Sequence, residues 1–249
     1  MPQTCIQIHN LNKRYKASDE DSLKDISFSI KTGDRFGILG PNGAGKTTLI
    51  SIICGVLTST KGYVDYYSQN NTIDLDSFKK KTGFVPQEHA FYQELTPKQN
   101  LEYFGAFYNL PPKELKANMI EILDKLGLSK VADKKINTFS GGMKRRINLA
   151  IGIIHKPDFL FLDEPTVGVD VQSKNAIMKF LIELNEQGTT IIYTSHLLSE
   201  VESFCNNIAL IDHGKLIAQD TLSNLLSSYH ANDLESLFIN LTGEAYRDK

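Results

Sequence analysis

Gly40-Pro41-Asn42-Gly43-Ala44-Gly45-Lys46-Thr47-Thr48 is the stretch whose reading decides the fold. The apolar run Arg35-Phe36-Gly37-Ile38-Leu39 before it reads as a buried strand, and Thr48 to Cys54 after it reads as the start of a helix. Strand, glycine-rich loop and helix in that order form the context a phosphate-binding loop requires. Glycines at 40, 43 and 45 let successive N–H groups curl toward one anion, and the helix N-terminus adds partial positive charge there. Lys46 is then set to reach the β- and γ-phosphates, and the Thr47 hydroxyl to ligate Mg²⁺. The pattern implies a nucleoside triphosphate as ligand.

Composition narrows the setting. At 249 residues the chain is long enough to bury a full core. A net charge of −2 supplies no global field for nucleic acid, so no nucleic-acid partner is expected. Three cysteines, Cys5, Cys54 and Cys205, are scattered without metal-ligand or redox spacing, which suggests free thiols in a reducing compartment. The first residues lack the charged and apolar regions of a signal peptide. No apolar run approaches the ~20 residues a membrane helix needs, so any membrane role is expected to come through a partner.

Outward from the loop, two kinds of patterning alternate. Ile6, Ile8 and Leu11, then, after a polar turn, Leu23, Ile26, Phe28 and Ile30, follow the spacing of an antiparallel hairpin with one wet face. Gly62 to Tyr67 reads as a further strand of that layer. By contrast Phe159-Leu160-Phe161-Leu162 and Thr189 to Tyr193 are continuous apolar or β-branched runs, as parallel strands covered on both faces require. Between them, Ser173 to Gln187 carries Ile177, Phe180, Leu181 and Leu184 at helical spacing and stops at Gly188. The region from Phe91 to Gly152 is predicted mostly helical, with Leu101, Phe104 and Tyr108 on one face and Leu115, Met119, Ile122 and Leu126 on another. A hairpin around Asp212-His213-Gly214 and a short helix from Asp233 close the chain.

A phosphate loop alone does not separate kinases, GTPases and transport ATPases. Asp163 and Glu164 narrow the choice, because an apolar strand delivers both acids at its carboxyl end, where ligands of open α/β sheets bind. Asp163 suits the role of holding Mg²⁺ and Glu164 that of activating the attacking water. Upstream, Ser140-Gly141-Gly142 opens an apolar helix and forms a second anion cradle. Lys144, Arg145 and Arg146 follow at the helix end where positive charge is disfavoured, a local cost that a nearby phosphate would offset. Two cradles with one acidic strand suggest that the second cradle serves a partner's nucleotide.

Ser140-Gly141-Gly142 with Lys144-Arg145-Arg146, then Leu162-Asp163-Glu164-Pro165-Thr166, Gly168-Val169-Asp170 and Thr194-Ser195-His196, together resemble the ATPase cassette of ABC transporters over essentially the whole chain. The resemblance implies that Tyr15 stacks on adenine, that Gln87 of the Q-loop senses Mg²⁺ and water, and that Ser140 and Gly142 close on the other subunit's ATP. It also implies that Asp170 links the two sites and that His196 is the switch histidine at the γ-phosphate. Thr47, Gln87 and Asp163 are then the Mg²⁺ residues. Two departures stand out: Met143 occupies the place of the family's usual glutamine, and Val169 that of a more frequent leucine. Methionine donates no hydrogen bond, so backbone N–H groups and Ser140 must carry the contact. The Ser-Gly-Gly-Met-Lys-Arg-Arg form, and the ending Leu234 to Gly243, are similar to the branch whose cassettes pair with ABC-2-type permeases, mostly exporters.

The expectation is an α/β fold: a P-loop NTPase core with a mainly parallel sheet, an N-terminal antiparallel β layer and an inserted α-helical subdomain. Residues 1–32 and 58–72 are assigned to the β layer, 33–57, 73–90 and 153–220 to the core, 91–152 to the helical signature subdomain and 221–249 to C-terminal helices. The function expected is ATP hydrolysis driving export through a separate membrane permease at the cytoplasmic face of the membrane, by a head-to-tail dimer with a second copy or a related cassette. Six aromatics after Gln87 (Phe91, Tyr92, Tyr103, Phe104, Phe107 and Tyr108) are too many for one short helical core, so some are expected to face outward, where the resemblance places permease docking. The alternative is a soluble ATPase of the same family acting on ribosomes or DNA. It lacks support because positions 48–139 hold neither a second cassette nor long heptad arms. A small-molecule kinase would not need Ser140 to Gly142 or His196.

Overall fold

The computed structural model describes residues 3–16, 19–68 and 71–243. In chain order the elements are β1 (Thr4–Arg14), β2 (Asp21–Lys31), β3 (Arg35–Leu39), α1 (Lys46–Ile53), β4 (Lys61–Ser68), β5 (Asn71–Ile73), α2 (Leu75–Lys80) and β6 (Thr82–Val85). There follow α3 (Pro97–Phe107), α4 (Pro112–Lys125), α5 (Gly141–Ile153), β7 (Phe159–Asp163), α6 (Val171–Glu186) and β8 (Thr190–Ser195). The last are α7 (Leu198–Phe204), β9 (Asn207–Asp212), β10 (Lys215–Thr221), α8 (Leu222–Ser228) and α9 (Leu234–Thr242). These form two compact units: the described residues up to Lys79 with those from Thr190 onward, and Lys80–Thr189.

In the first unit, β2, β1, β4 and β5 form an antiparallel sheet in that order. Ile6 faces Ile30 and Ile8 faces Phe28, and all four are buried. The apolar spacing then slips from two residues to three at Leu11. A bulge absorbs the slip: Asn10 adopts φ 46 and Asp25 φ 56, and the Asn10 amide donates to the Asp25 carboxylate at 2.8 Å. The extra residue keeps Leu11 and Ile26 on the core side. A second set of strands places β3 between β8 and β9, all parallel, with β10 antiparallel on β9. Phe28 and Phe36, one from each set, stack with ring centroids 5.4 Å apart.

In the second unit, β6 and β7 pair in parallel, Val85 opposite Leu162. Helix α5 is buried on nearly every side, which explains its all-round apolar composition. It lies so close to β6 that a Cβ on Gly83 would strike the Gly152 carbonyl. That approach seats α5 against the end of β6, where the Gln87 loop begins. Helix α3 ends at Phe107, one residue short of the apolar face expected to include Tyr108. Tyr108 instead lies flat on His155, 3.6 Å between centroids, while Phe104 joins the outer aromatics Tyr92, Tyr103 and Phe107.

Candidate functional site: two glycine cradles and an acidic strand end

The loop 40–48 joins β3 to α1. Gly43 has φ 80 and Gly45 φ 107, a region that side-chain-bearing residues rarely adopt. A Cβ on Gly45 would also stand 2.7 Å from the Ser22 carbonyl oxygen, and one on Gly40 would run into that of Ile211. Gly45 caps α1 without a side-chain hydrogen bond, so no side chain of the cap stands between the first turn of the helix and the loop. Pro41, Asn42 and Ala44 form the bend between these glycines, and the Ala44 carbonyl accepts from the Gly214 N–H at 3.0 Å. The Lys46 ammonium, nearly buried, donates to the carbonyls of Gly40 at 2.7 Å and Pro41 at 3.2 Å. Those carbonyls offset the unfavourable placement of a cation at a helix N-terminus.

Tyr15 follows β1, and its hydroxyl lies 3.1 Å from the Thr48 hydroxyl. Its ring remains 39% exposed at the margin of the loop, with the Lys13 ammonium 5.4 Å from the ring centroid. Strand register delivers His196: Ser195 pairs with Leu39, so His196 leaves β8 beside the point where Gly40 leaves β3. The Leu197 N–H donates to the Ser195 hydroxyl at 2.9 Å. Buried Glu200 accepts from the Tyr193 hydroxyl at 2.7 Å and from the Ser195 hydroxyl at 3.4 Å, which braces the end of β8 that leads into His196.

In the second unit, Asp163 ends β7 and Glu164 follows it, both buried. Glu164 takes φ 49, a left-handed conformation that costs a non-glycine residue ~1–3 kcal/mol. The Gln87 amide donates to its carboxylate at 3.2 Å. Ser140 caps α5, its hydroxyl accepting from the Met143 N–H at 3.3 Å. Asp170 caps α6 and accepts from the Ser173 N–H at 2.9 Å, and that bond holds its carboxyl below the ordinary range. A Cβ on Gly142 would strike the Ser173 hydroxyl and stand 2.8 Å from Asp170, whereas Gly141 is exposed, with Gly168 O at 3.8 Å as the nearest neighbour of a Cβ there. Gln87, Glu88, His89, Gly141, Arg145, Val167 and Gly168 line a cavity of about 480 Å³.

The three cations after the signature do not stand as expected. Arg145 turns inward and donates to the carbonyls of Pro165, Gln87, Pro86 and Glu164. Arg146 donates to those of Gly142 and Leu126, and Lys144 to the Gln93 side chain. Carbonyl dipoles of the chain itself offset the cost of cations at this helix end. The balance is reasonable: a hydrogen bond to a charged group contributes about 1.5–3 kcal/mol, and burying a charge costs several kcal/mol. The inward turn of Arg145, read in the sequence only as one of three cations, and any role for Asn148 were not foreseen, although two polar residues three apart on an apolar helix face are a usable signal. Glu200 among the buried Val201 and Phe204 of α7 is another.

Burial pushes the Cys5 thiol up to about 12 and raises Cys205 as well, so neither is a nucleophile. Among the described residues no group of three or more His, Cys, Asp or Glu is arranged to hold a metal. The Thr47 hydroxyl in the first unit, and the Asp163 carboxylate and Gln87 amide oxygen in the second, are each hard oxygen donors of the kind Mg²⁺ takes.

Residues 23–167 match the family model described as ABC transporter. The chain belongs to the ABC transporter family. It is 43% identical over 241 residues to the linearmycin resistance ATP-binding protein LnrL of Bacillus subtilis (strain 168), covering 97% of this chain and 77% of that one. It is 33% identical over 222 residues to the Nod factor export ATP-binding protein I of Ralstonia nicotianae, covering 89% and 68%. A dimeric ATP-binding cassette in a post-hydrolysis state with ADP and Pi superposes with a TM-score of 0.76 at 28% identity, covering 87% of this chain and 98% of that one. The chain is thus an ATP-binding subunit of an ABC transporter and an ATPase that uses ATP with Mg²⁺. A role on ribosomes or DNA is not favoured. No helix among the described residues is long and apolar enough to cross a membrane.

Proposed function

We propose that this ABC subunit drives export through a separate ABC-2-type permease, pairing head to tail with a second copy or a related cassette so that each ATP lies between one chain's loop 40–48 and the other's Ser140–Gly142 cradle. The observation that carries the pairing is Gly141. Gly141 opens α5 directly after the Ser140 cap, and among the described residues the nearest atom to a Cβ there is Gly168 O at 3.8 Å, so on this reading its smallness answers to something outside the chain. The dimeric arrangement of the related cassette with ADP and Pi supports the same reading. The relatives named for linearmycin resistance and Nod factor export support the direction of transport.

Within each site, the amides of Gly43, Gly45, Lys46 and Thr47 and the Lys46 ammonium hold the phosphates, Tyr15 meets the adenine, and Thr48 supports Tyr15. Thr47, Asp163 and Gln87 would hold Mg²⁺, which when bound would supply charge neutralisation to the phosphates. Glu164 accepts a proton from the attacking water, and Gln87 orients that carboxylate. His196 donates to the γ-phosphate as charge builds there, and Asp170 reports on the neighbouring site. Catalysis is then mainly positioning and charge stabilisation. The outward aromatics Tyr92, Tyr103 and Phe107, the last 67% exposed, form the docking surface for the permease. That attachment places the chain peripherally at the cytoplasmic face. The whole chain acts as one ABC ATPase domain, with 91–152 as its signature subdomain.

Glu164→Gln tests this reading. It should keep ATP affinity, lower turnover by roughly 10²-fold or more, and recover from detergent-solubilised membranes as an ATP-bound dimer together with a membrane protein. Near-normal turnover removes Glu164 from the base role. A monomer at saturating ATP overturns the sandwich, and recovery with ribosomes instead overturns the permease pairing.

A further inference from the structure

We propose that Arg145 is a positioning residue for ATP hydrolysis: its guanidinium locks the backbone of the Gln87 loop to the backbone at Glu164, and so sets where the Gln87 amide and the Glu164 carboxylate stand. The geometry is specific. Nε donates to Pro165 O at 2.7 Å and Nη1 to Gln87 O at 2.6 Å and Pro86 O at 3.2 Å, while Nη2 donates to Glu164 O. Each functional residue is thus gripped at its own carbonyl and at that of an adjacent proline. The side chain is 4% exposed, so water does not compete for these bonds.

Two further features make the clamp necessary. Glu164 holds φ 49, and a strained conformation of this kind persists only where its surroundings over-determine it. Asn148, one turn along α5, also grips the Gln87 loop, donating to Pro86 O at 3.0 Å and Glu88 O at 3.3 Å and accepting from Ala90 N at 3.0 Å. Asn148 does not reach Glu164 through any of these bonds, and Arg145 joins the two segments. Only a planar fork of several N–H groups spans both. A lysine ammonium is a point charge and reaches one segment or the other. The resulting separation is read in the 3.2 Å hydrogen bond from Gln87 to Glu164.

This inference rests on Glu164 being the base, and the experiment separates the two. In the full chain, Arg145→Lys and Arg145→Gln are assayed for kcat, KM for ATP and melting temperature, each alone and with Glu164→Gln. Arg145→Lys should lower kcat by about tenfold to a hundredfold and leave KM within about threefold. Arg145→Gln, shorter and with both N–H groups on one nitrogen, should fall at least as far. In the Glu164→Gln background the same changes should cost less than about twofold, because the group being placed has already lost its function. Single variants with kcat within about twofold of the parent overturn the proposal. So does an equal fractional loss in both backgrounds, which marks a general structural role. If Glu164→Gln alone hydrolyses normally, the base assignment fails instead. Should Arg145→Lys not fold, Arg145→Gln in the two backgrounds decides.

Discussion

The two glycine cradles look alike in sequence and are constrained in opposite ways. At 40–48 the chain itself demands glycine, because Gly43 and Gly45 hold positive φ and the backbones of Ser22 and Ile211 crowd positions 45 and 40. At 140–142 the demand is divided. Gly142 is small because Ser173 and Asp170 of the same chain press on it, while Gly141 meets nothing closer than 3.8 Å. The first cradle is therefore constrained by its own chain, whereas at the second the described residues set no requirement on position 141. The proposed pairing assigns that requirement to a docking partner.

The largest effect that would sharpen this contrast belongs to Gly45→Ala. A methyl group at φ 107 and 2.7 Å from Ser22 O should deform the loop, lowering the melting temperature and weakening ATP binding by about a hundredfold or more. Unchanged affinity by calorimetry would mean that the loop tolerates a side chain and that the contrast is false. Gly141→Asp comes next. A carboxylate in the first turn of α5 is favourable to the helix, so stability and the ATP affinity of the dilute chain should hold. Hydrolysis by the paired chains should nevertheless fall by about tenfold to a hundredfold, since the new charge faces phosphate. A loss of stability together with activity would show that position 141 is constrained from within. Gly142 is unsuitable for this purpose, because any side chain there disturbs Asp170 and Ser173 first. The smallest effect is that of Met143→Gln. Its N–H already donates to Ser140, and the cradle relies on backbone donors, so steady-state ATPase should change by less than about tenfold. A larger change in either direction would assign the side chain at 143 a contact of its own.

Much of the architecture was legible in the order of residues, and for a local reason. Period-two spacing set the hairpin of β1 and β2, continuous apolar runs marked β7 and β8, and the positions of Ser140 and Asp233 marked where two helices begin, whereas the helix read from Ser173 starts at Val171 with Asp170 as its cap. Each of these depends on residues a few places apart. Candidate residues for the chemistry could likewise be proposed from their motifs, because loop, strand end and signature are short contiguous strings. Pairing across long separations was not legible. Nothing local says that Arg145 reaches carbonyls at 86, 87, 164 and 165, that Glu200 braces the end of β8 that leads into His196, or that α3 stops before Tyr108 so that its ring lies on His155. A cation near a helix N-terminus has a cost that composition reveals. What offsets it is decided by which backbone dipoles the folded chain brings within hydrogen-bond distance, and that belongs to the tertiary structure.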